Sequence, residues 1–151
     1  MKKSLIAAAI VGSALFTSAS FAEDYKIDIE GQHAFIQFKI KHLGYSWLYG
    51  RFNKFDGSFS YDENAPENAS IQVTIDTSSI DTNHAERDKH LRSDDFLNVG
   101  EYPTATFEST RYVPDEDDAG EGTLYGNFTL NGVTKEIAID VAHTGAGEDP
   151  W

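Results

Sequence analysis

The dipeptide Asn131-Gly132 limits the folds open to this chain more than any other feature of its sequence. It separates two runs, 124–130 and 133–141, in which apolar and polar side chains largely alternate. Asn-Gly between two such runs predicts a two-residue type I′ turn that joins antiparallel strands. The pairs expected from that turn are Leu130 with Val133, Phe128 with Lys135 and Leu124 with Ile139.

Alternation recurs along much of the chain, which indicates further strands with one apolar and one polar face. The predicted strands outside the hairpin are 25–29, 34–42, 70–76 and 104–113. The stretch 47–61 is aromatic, and its Gly50 and Gly57 permit the bulges and bends with which a sheet curls. About seven antiparallel strands without a linker or repeat predict an all-β sandwich or barrel in one domain.

One segment departs from the strand pattern. Asn83 and Glu86 have the spacing of a capping box, which predicts a short helix over 84–92 with Asn83 as its N-cap. Ser93, followed by two acidic residues, predicts a second helical start. We therefore expect a helical insertion around residues 84–98 in an otherwise all-β chain.

The charge balance limits the partners that the protein can bind. The chain has 25 acidic and 12 basic residues, which gives a formal net charge of -13. This balance argues against nucleic acid, since phosphate binding requires a basic surface, and against docking on anionic lipid head groups. The chain has no cysteine, which excludes disulfides, thiolate metal sites and cysteine nucleophiles.

The first 22 residues have the pattern of a signal peptide. Lys2 and Lys3 precede an apolar stretch, and Ser20 and Ala22 provide small residues at the -3 and -1 positions of a cleavage site. The apolar stretch is shorter than the ~20 residues that a membrane span needs, so we expect no stable membrane insertion. We predict cleavage after Ala22, a location in the periplasm and a single domain over residues 23–151.

A series of short motifs resembles the YceI-like family. The motifs follow one another through essentially all of residues 24–151, and their joint order carries the resemblance. They are His33, Phe38-Lys39-Ile40-Lys41-His42-Leu43-Gly44, Gly50-Arg51-Phe52, Phe55-Asp56-Gly57, Ser79-Ile80-Asp81-Thr82, Arg87-Asp88-Lys89-His90-Leu91, Ser93-Asp94-Asp95-Phe96, Tyr102-Pro103-Thr104-Ala105-Thr106-Phe107 and Asn131-Gly132-Val133-Thr134-Lys135.

The resemblance implies a lipocalin-like antiparallel β-barrel that sequesters an isoprenoid lipid, of quinone or polyprenyl type, in an apolar channel, and a connection to stress. The lipid is then the bound ligand, and we expect no other cofactor and no catalytic or metal-ligating residue. Family members usually continue through at least one further pair of strands, so we expect the closing C-terminal strands to be missing from this chain. The residues expected to contact the lipid are Ile36, Phe38, Ile40, His42, Trp47, Phe52, Phe55, Phe107, Phe128, Ile137 and Ile139.

Several polar residues allow other interpretations. His42 continues the inward face of its strand, so its ring either contacts a lipid head group or is half buried and satisfied by the protein. Asp115 begins an acidic loop spaced like a calcium loop, but oxygens required at its later positions are missing. Arg87, Asp88 and His90 either form a catalytic acid–base group or belong to a helix that docks against the barrel by an ion pair. The five histidines lack the spacing of a zinc-binding helix.

Two other functions therefore stay open beside lipid sequestration. The protein would be a periplasmic stress or interaction protein without a lipid ligand, whose open sheet edge binds a protein partner that the sequence does not identify. Alternatively, it would be an enzyme acting on an isoprenoid or a quinone, with a polar cluster around His42 or Asp88.

Overall fold

A computed structural model describes residues 22–31, 33–118 and 120–148. Apart from Ala22, the predicted signal peptide lies outside these residues. No helix within the described ranges is long and apolar enough to cross a membrane. The elements are β1 (Glu23–Lys26), β2 (Ile36–His42), β3 (Ser46–Phe52), β4 (Phe55–Tyr61), β5 (Ser70–Asp76), β6 (Ile80–Asp81), α1 (Ala85–Leu91), β7 (Thr104–Pro114), β8 (Glu121–Leu130) and β9 (Val133–Ala142).

The strands form two antiparallel sheets, which confirms the predicted all-β class. One sheet has six strands in the order β1-β4-β5-β7-β8-β9, and the other has three in the order β2-β3-β6. Among the described residues β1 and β9 are the two edges of the larger sheet and do not pair with each other. The barrel is therefore open between these strands.

The turn at Asn131-Gly132 has the predicted geometry. Asn131 has a φ of 50° and Gly132 a φ of 72°, the left-handed values that a type I′ turn requires at both positions. The three predicted cross-strand pairs, including Phe128 with Lys135, are all present. The sequence prediction of this hairpin and its register is confirmed.

The larger sheet has one apolar and one polar face. On the apolar face Val73 of β5 lies beside Phe107 of β7, which lies beside Phe128 of β8. The adjacent row on the other face is Gln72, Glu108 and Asn127. The most buried apolar side chains of this sheet all lie on the apolar face: Ile75, Ala105, Phe107 and Leu124.

A β-bulge in β7 changes which side chains reach the apolar face. The pairing shifts by one residue between Ser109 and Arg111, so that the alternation of β7 changes phase there. Tyr112 consequently lies opposite Leu124 on the apolar face. Arg111 lies on the polar face, where its guanidinium carbon is 3.5 Å from the ring centroid of Tyr125.

The helical insertion is shorter than predicted. Helix α1 begins at Ala85, and its N-cap is His84, whose Nδ1 accepts the backbone N–H of Arg87 at 3.2 Å. The prediction of Asn83 as N-cap is wrong because Asn83 has a φ of 61° and its N–H donates to Asp81 at 2.9 Å. The second helical start at Ser93 is also wrong, since the chain continues there as turns.

Candidate functional site

Five of the predicted lipid-contacting residues share the apolar face of the larger sheet. Phe107 lies directly opposite Phe128, and the register of the flanking strands places the other three on the same face. The five are Phe55, Phe107, Phe128, Ile137 and Ile139. This face is therefore largely apolar across the strands, with Lys135 opposite Phe128 as an exception.

The apolar face deepens into a groove at one end. The groove has a volume of about 470 Å³, and mainly apolar atoms line it. Every strand of the larger sheet contributes to it: Tyr25 from β1, Phe59 and Tyr61 from β4, Ile71 from β5, Tyr112 from β7, Leu124 from β8 and Val141 from β9. The chain after β9 forms the remaining wall with His143 and residues 145–147. A volume of this size lies in the range of small-molecule sites.

Aromatic contacts fix the groove at the β1–β4 edge. The rings of Tyr25 and Phe59 are stacked with centroids 4.8 Å apart and planes 13° apart. The Tyr25 hydroxyl donates to Glu23 Oε2 at 2.8 Å, and this hydrogen bond raises the pKa of Tyr25 above its ordinary value. The rings of Tyr61 and His143 are 5.3 Å apart. Aromatic rings with a few polar groups thus line this end of the groove.

Tyr112 contributes a ring and a partly desolvated hydroxyl. Its ring lies against Gly122, where no side chain separates it from the backbone. Its hydroxyl donates to the carbonyl of Glu121 at 3.1 Å. Burial, and secondarily the neighbouring Tyr61, raises the pKa of the Tyr112 hydroxyl. The phenol therefore stays neutral near pH 7 and presents mainly its ring to the groove.

The remaining predicted residues lie on the smaller sheet. Its register places Ile36, Phe38, Ile40, His42 and Phe52 on one face, and the rings of Phe38 and Phe52 are 5.8 Å apart. His42 is exposed and pairs with Ser46 next to the hairpin turn.

Trp47 does not join this set. It pairs with Lys41 on the opposite face of the hairpin and is 51% exposed. Because β3 alternates from Phe52, Trp47 lies on the face of the hairpin opposite to that of the other predicted residues.

The polar cluster at α1 is internal to the fold. The buried Asp88 accepts the N–H of Thr82 at 2.9 Å and its hydroxyl at 2.5 Å. Arg87 donates to the same threonine, to Oγ1 and to the carbonyl, each at 2.7 Å. Helix α1 is therefore docked through Thr82, and the predicted ion pair is replaced by hydrogen bonds. His90 points elsewhere, toward Asp95 at 3.3 Å.

Other side chains that could bind a metal ion make contacts with nearby residues of the chain instead. His33 pairs with Asp28 at 2.9 Å, and the backbone N–H of Gly31 holds the pKa of that carboxyl below its usual value. The carboxylate of Asp115 accepts the N–H groups of Asp117 and Asp118 within its own loop. In the part of the chain that the structure describes, no three His, Asp or Glu side chains are grouped as metal ligands would be.

The residues that line the groove were not predicted from the sequence. None of the predicted lipid-contacting residues is among them. Leu124 and Val141 could have been found by extending the predicted hairpin register to its far end. Tyr112 could not have been found in this way, because the bulge in β7 determines on which face of the sheet its side chain lies.

Relatives of this chain are found by sequence. The profile of the YceI-like domain matches residues 25–149. A UPF0312 protein of Pseudomonas paraeruginosa is 62% identical over 152 residues, which cover 100% of this chain and 78% of the relative. A UPF0312 protein of Yersinia enterocolitica is 59% identical over 142 residues, which cover 93% of this chain and 72% of the relative.

Solved structures have the same fold. The YCEI protein of Campylobacter jejuni matches with a TM-score of 0.65 and 32% identity, over 80% of this chain and 70% of that protein. BcnA of Burkholderia cenocepacia matches with a TM-score of 0.67 and 22% identity, over 74% of this chain and 67% of that protein, a likeness of fold alone. The predicted family is confirmed: the chain belongs to the YceI-like family.

Proposed function

We propose that this protein sequesters an isoprenoid lipid, of quinone or polyprenyl type, in the groove of the larger sheet. The observation that carries the proposal is the apolar face that crosses all six strands and ends in a groove of about 470 Å³. The isoprenoid class comes from the family resemblance, and the geometry of the face is compatible with it. Export to the periplasm after removal of residues 1–22 is part of the same proposal.

Burial of hydrocarbon supplies the affinity. Each methylene group removed from water contributes about 0.8 kcal/mol, so an isoprenoid tail binds without many polar contacts. The tail lies in the groove against Phe59, Ile71 and Leu124, and its polar end lies beside Tyr61 and His143. Because few polar groups contact the tail, lipids of similar width compete for the same surface.

Sequestration requires no chemistry from the protein. Two of the groups that suggested an enzyme, Arg87 and Asp88, are engaged with Thr82 beneath helix α1, and a third, His42, lies on the smaller sheet and does not line the groove. The groove is lined instead by tyrosine rings and aliphatic side chains. These features support a binding role.

Native mass spectrometry tests the proposal. The protein is purified from cells without detergent, and its intact mass is compared before and after denaturation. We expect an adduct that dissociates on denaturation and fragments in five-carbon isoprene steps. A protein that carries no adduct, and that also fails to take up an added isoprenoid quinone, would overturn the proposal.

A further inference from the structure

The β2–β3 hairpin has a charge opposite to that of the whole chain. Residues 31–55 contain four basic residues and no Asp or Glu: Lys39, Lys41, Arg51 and Lys54. All 25 acidic residues of the chain lie outside this segment. The acidic protein, with a net charge of -13, therefore has one basic hairpin. An anionic partner is attracted to this hairpin although the acidic surface around it repels such a partner.

On the outer face of the hairpin, each of the two lysines stands opposite an aromatic residue. Lys39 pairs with Tyr49, and Lys41 pairs with Trp47. Tyr49 is 67% exposed, and the ammonium group of Lys39 is 5.1 Å from the Trp47 ring centroid. Trp, Tyr and Lys are the residues that proteins place at membrane–water interfaces.

The turn of the hairpin exposes further apolar surface. Leu43 is 76% exposed and Tyr45 is 91% exposed. Leu43 also has a φ of 51°, a left-handed conformation that glycine or asparagine adopts at lower cost. A large apolar side chain thus occupies the exposed turn, where a small polar residue would suit the backbone better. Such a departure from local preference is typical of a functional surface.

We propose that this hairpin docks the protein on an anionic lipid bilayer. The docking surface consists of Lys39, Lys41, Leu43, Tyr45, Trp47 and Tyr49. The two lysines contact lipid phosphates, the aromatic rings lie at the level of the head groups, and Leu43 enters the acyl region. The contact is peripheral.

The base of the hairpin contacts an acidic residue. Asp81 pairs with Arg51 there at 3.2 Å. The Lys41–Trp47 pair is four residues further along the strand, which is about 13 Å at the usual rise. At the Lys41–Trp47 pair this separation exceeds the Debye length of about 8 Å at physiological ionic strength, so the charge of Asp81, which is already paired with Arg51, is largely screened there.

Docking is independent of lipid capture in the groove, because it uses different residues on the smaller sheet. It would nevertheless serve such a protein, since a hydrocarbon ligand must leave a membrane to reach the groove. The experiment below measures only association with vesicles, so its outcome and that of the adduct measurement are separate.

Vesicle flotation tests the proposal. The purified protein is mixed with phosphatidylglycerol/phosphatidylethanolamine vesicles or with pure phosphatidylcholine vesicles. We expect association with the anionic vesicles that weakens as NaCl is raised. The chain has two tryptophans, so in a Trp151→Phe background the emission of Trp47 reports directly on the hairpin, and we expect it to shift to shorter wavelength on the anionic vesicles.

Matched variants locate the surface. Lys39→Glu/Lys41→Glu is expected to weaken vesicle association at least tenfold, and Leu43→Ser/Tyr45→Ser to abolish the emission shift. Lys26→Glu/Lys89→Glu makes the same change in net charge on other exposed elements and is expected to alter association less than twofold. All variants keep the same N-terminus, so any contribution of residues 1–22 is common to them.

Three results would overturn the proposal. The first is no association with anionic vesicles at low salt. The second is equal loss of association in the hairpin variant and the control. The third is self-association of the protein, seen by sedimentation velocity, that Lys39→Glu/Lys41→Glu abolishes, together with no binding to vesicles. That result would mean that the hairpin binds the acidic surface of a second copy of the chain.

Discussion

Phe59 is the residue through which the groove can be tested with least damage to the fold. It lines the groove, yet it is 37% exposed, so substitution there leaves the buried core intact. Phe59→Asp places a carboxylate among apolar side chains, where an unpaired charge is unfavourable. We expect affinity for an isoprenoid quinone to fall at least about tenfold, which is about 1.4 kcal/mol, in a fluorescence titration.

The control for this change is the adjacent residue. Ser58→Asp adds the same charge to the same strand but on the polar face of the sheet. Quinone binding by this variant should equal that of the unmodified protein. Equal losses in both variants would mean that the strand, and not the groove, was disturbed.

Asp76 connects stability to pH. Its carboxylate accepts the hydroxyl of Ser78 at 2.6 Å and the N–H of Ser78 at 2.9 Å, and these hydrogen bonds hold the pKa of Asp76 below its ordinary value. A lowered folded pKa means that the ionised group stabilises the fold above the unfolded pKa of about 4, and that this stabilisation is lost as pH falls through the folded pKa.

We therefore expect Asp76→Ala to lower the free energy of unfolding by about 1 kcal/mol at pH 7. The difference from the unmodified protein should shrink as the pH is lowered from 5 toward 3. Urea denaturation at several pH values measures both quantities. Glu116→Gln, an exposed carboxylate in a distant loop, should change stability by less than about 0.5 kcal/mol. A pH-independent loss in Asp76→Ala would contradict the assignment.

Among the elements, helix α1 is held in position partly by the buried carboxylate of Asp88. Asp88→Ala leaves the N–H of the buried Thr82 without its acceptor, and an unsatisfied buried donor costs about 1–3 kcal/mol. We expect unfolding free energy to fall by about 2 kcal/mol while quinone binding in the remaining folded protein is unchanged. Chemical denaturation and titration measure these separately.

Glu86→Ala in the same helix is the matched control, because Glu86 is exposed. It should leave stability within about 0.5 kcal/mol of the unmodified protein. If Asp88→Ala folded with full stability but lost lipid binding, Asp88 would belong to the site rather than to the docking of the helix.

The elements also differ in how far the sequence predicts them. The β8–β9 hairpin was predictable to the residue because its determinants, Asn131-Gly132 and the alternation around it, are local. The N-cap of α1 was displaced by one residue because Asn83 bonds to Asp81 before the helix begins. The groove was not predictable, since it depends on the bulge at Ser109 and on six strands that meet only in the folded sheet.

At the scale of the whole molecule, total charge is a weaker guide than its distribution. The sum of -13 predicts repulsion from anionic surfaces, but residues 31–55 have no acidic residue. Alternation of apolar and polar residues predicts on which face of a sheet each side chain lies. It does not predict whether that face is packed by other side chains or borders a cavity. The predicted channel residues are consequently divided between two sheets, and the groove lies at the end of one of them.

The proposed location of the protein leads to a prediction about the whole chain. Signal peptidase sites require small side chains at the -1 and -3 positions, which Ala22 and Ser20 provide. We expect the periplasmic protein to begin at Glu23, and Ala22→Tyr to leave the uncleaved chain in the membrane fraction. Ala19→Tyr adds the same bulk at -4, outside the two restricted positions, and should be processed normally. The intact mass of the protein in each cell fraction shows whether the signal peptide has been removed. An uncleaved chain in the cytoplasm would contradict export. It would also separate the protein from the membrane lipids that it is proposed to bind.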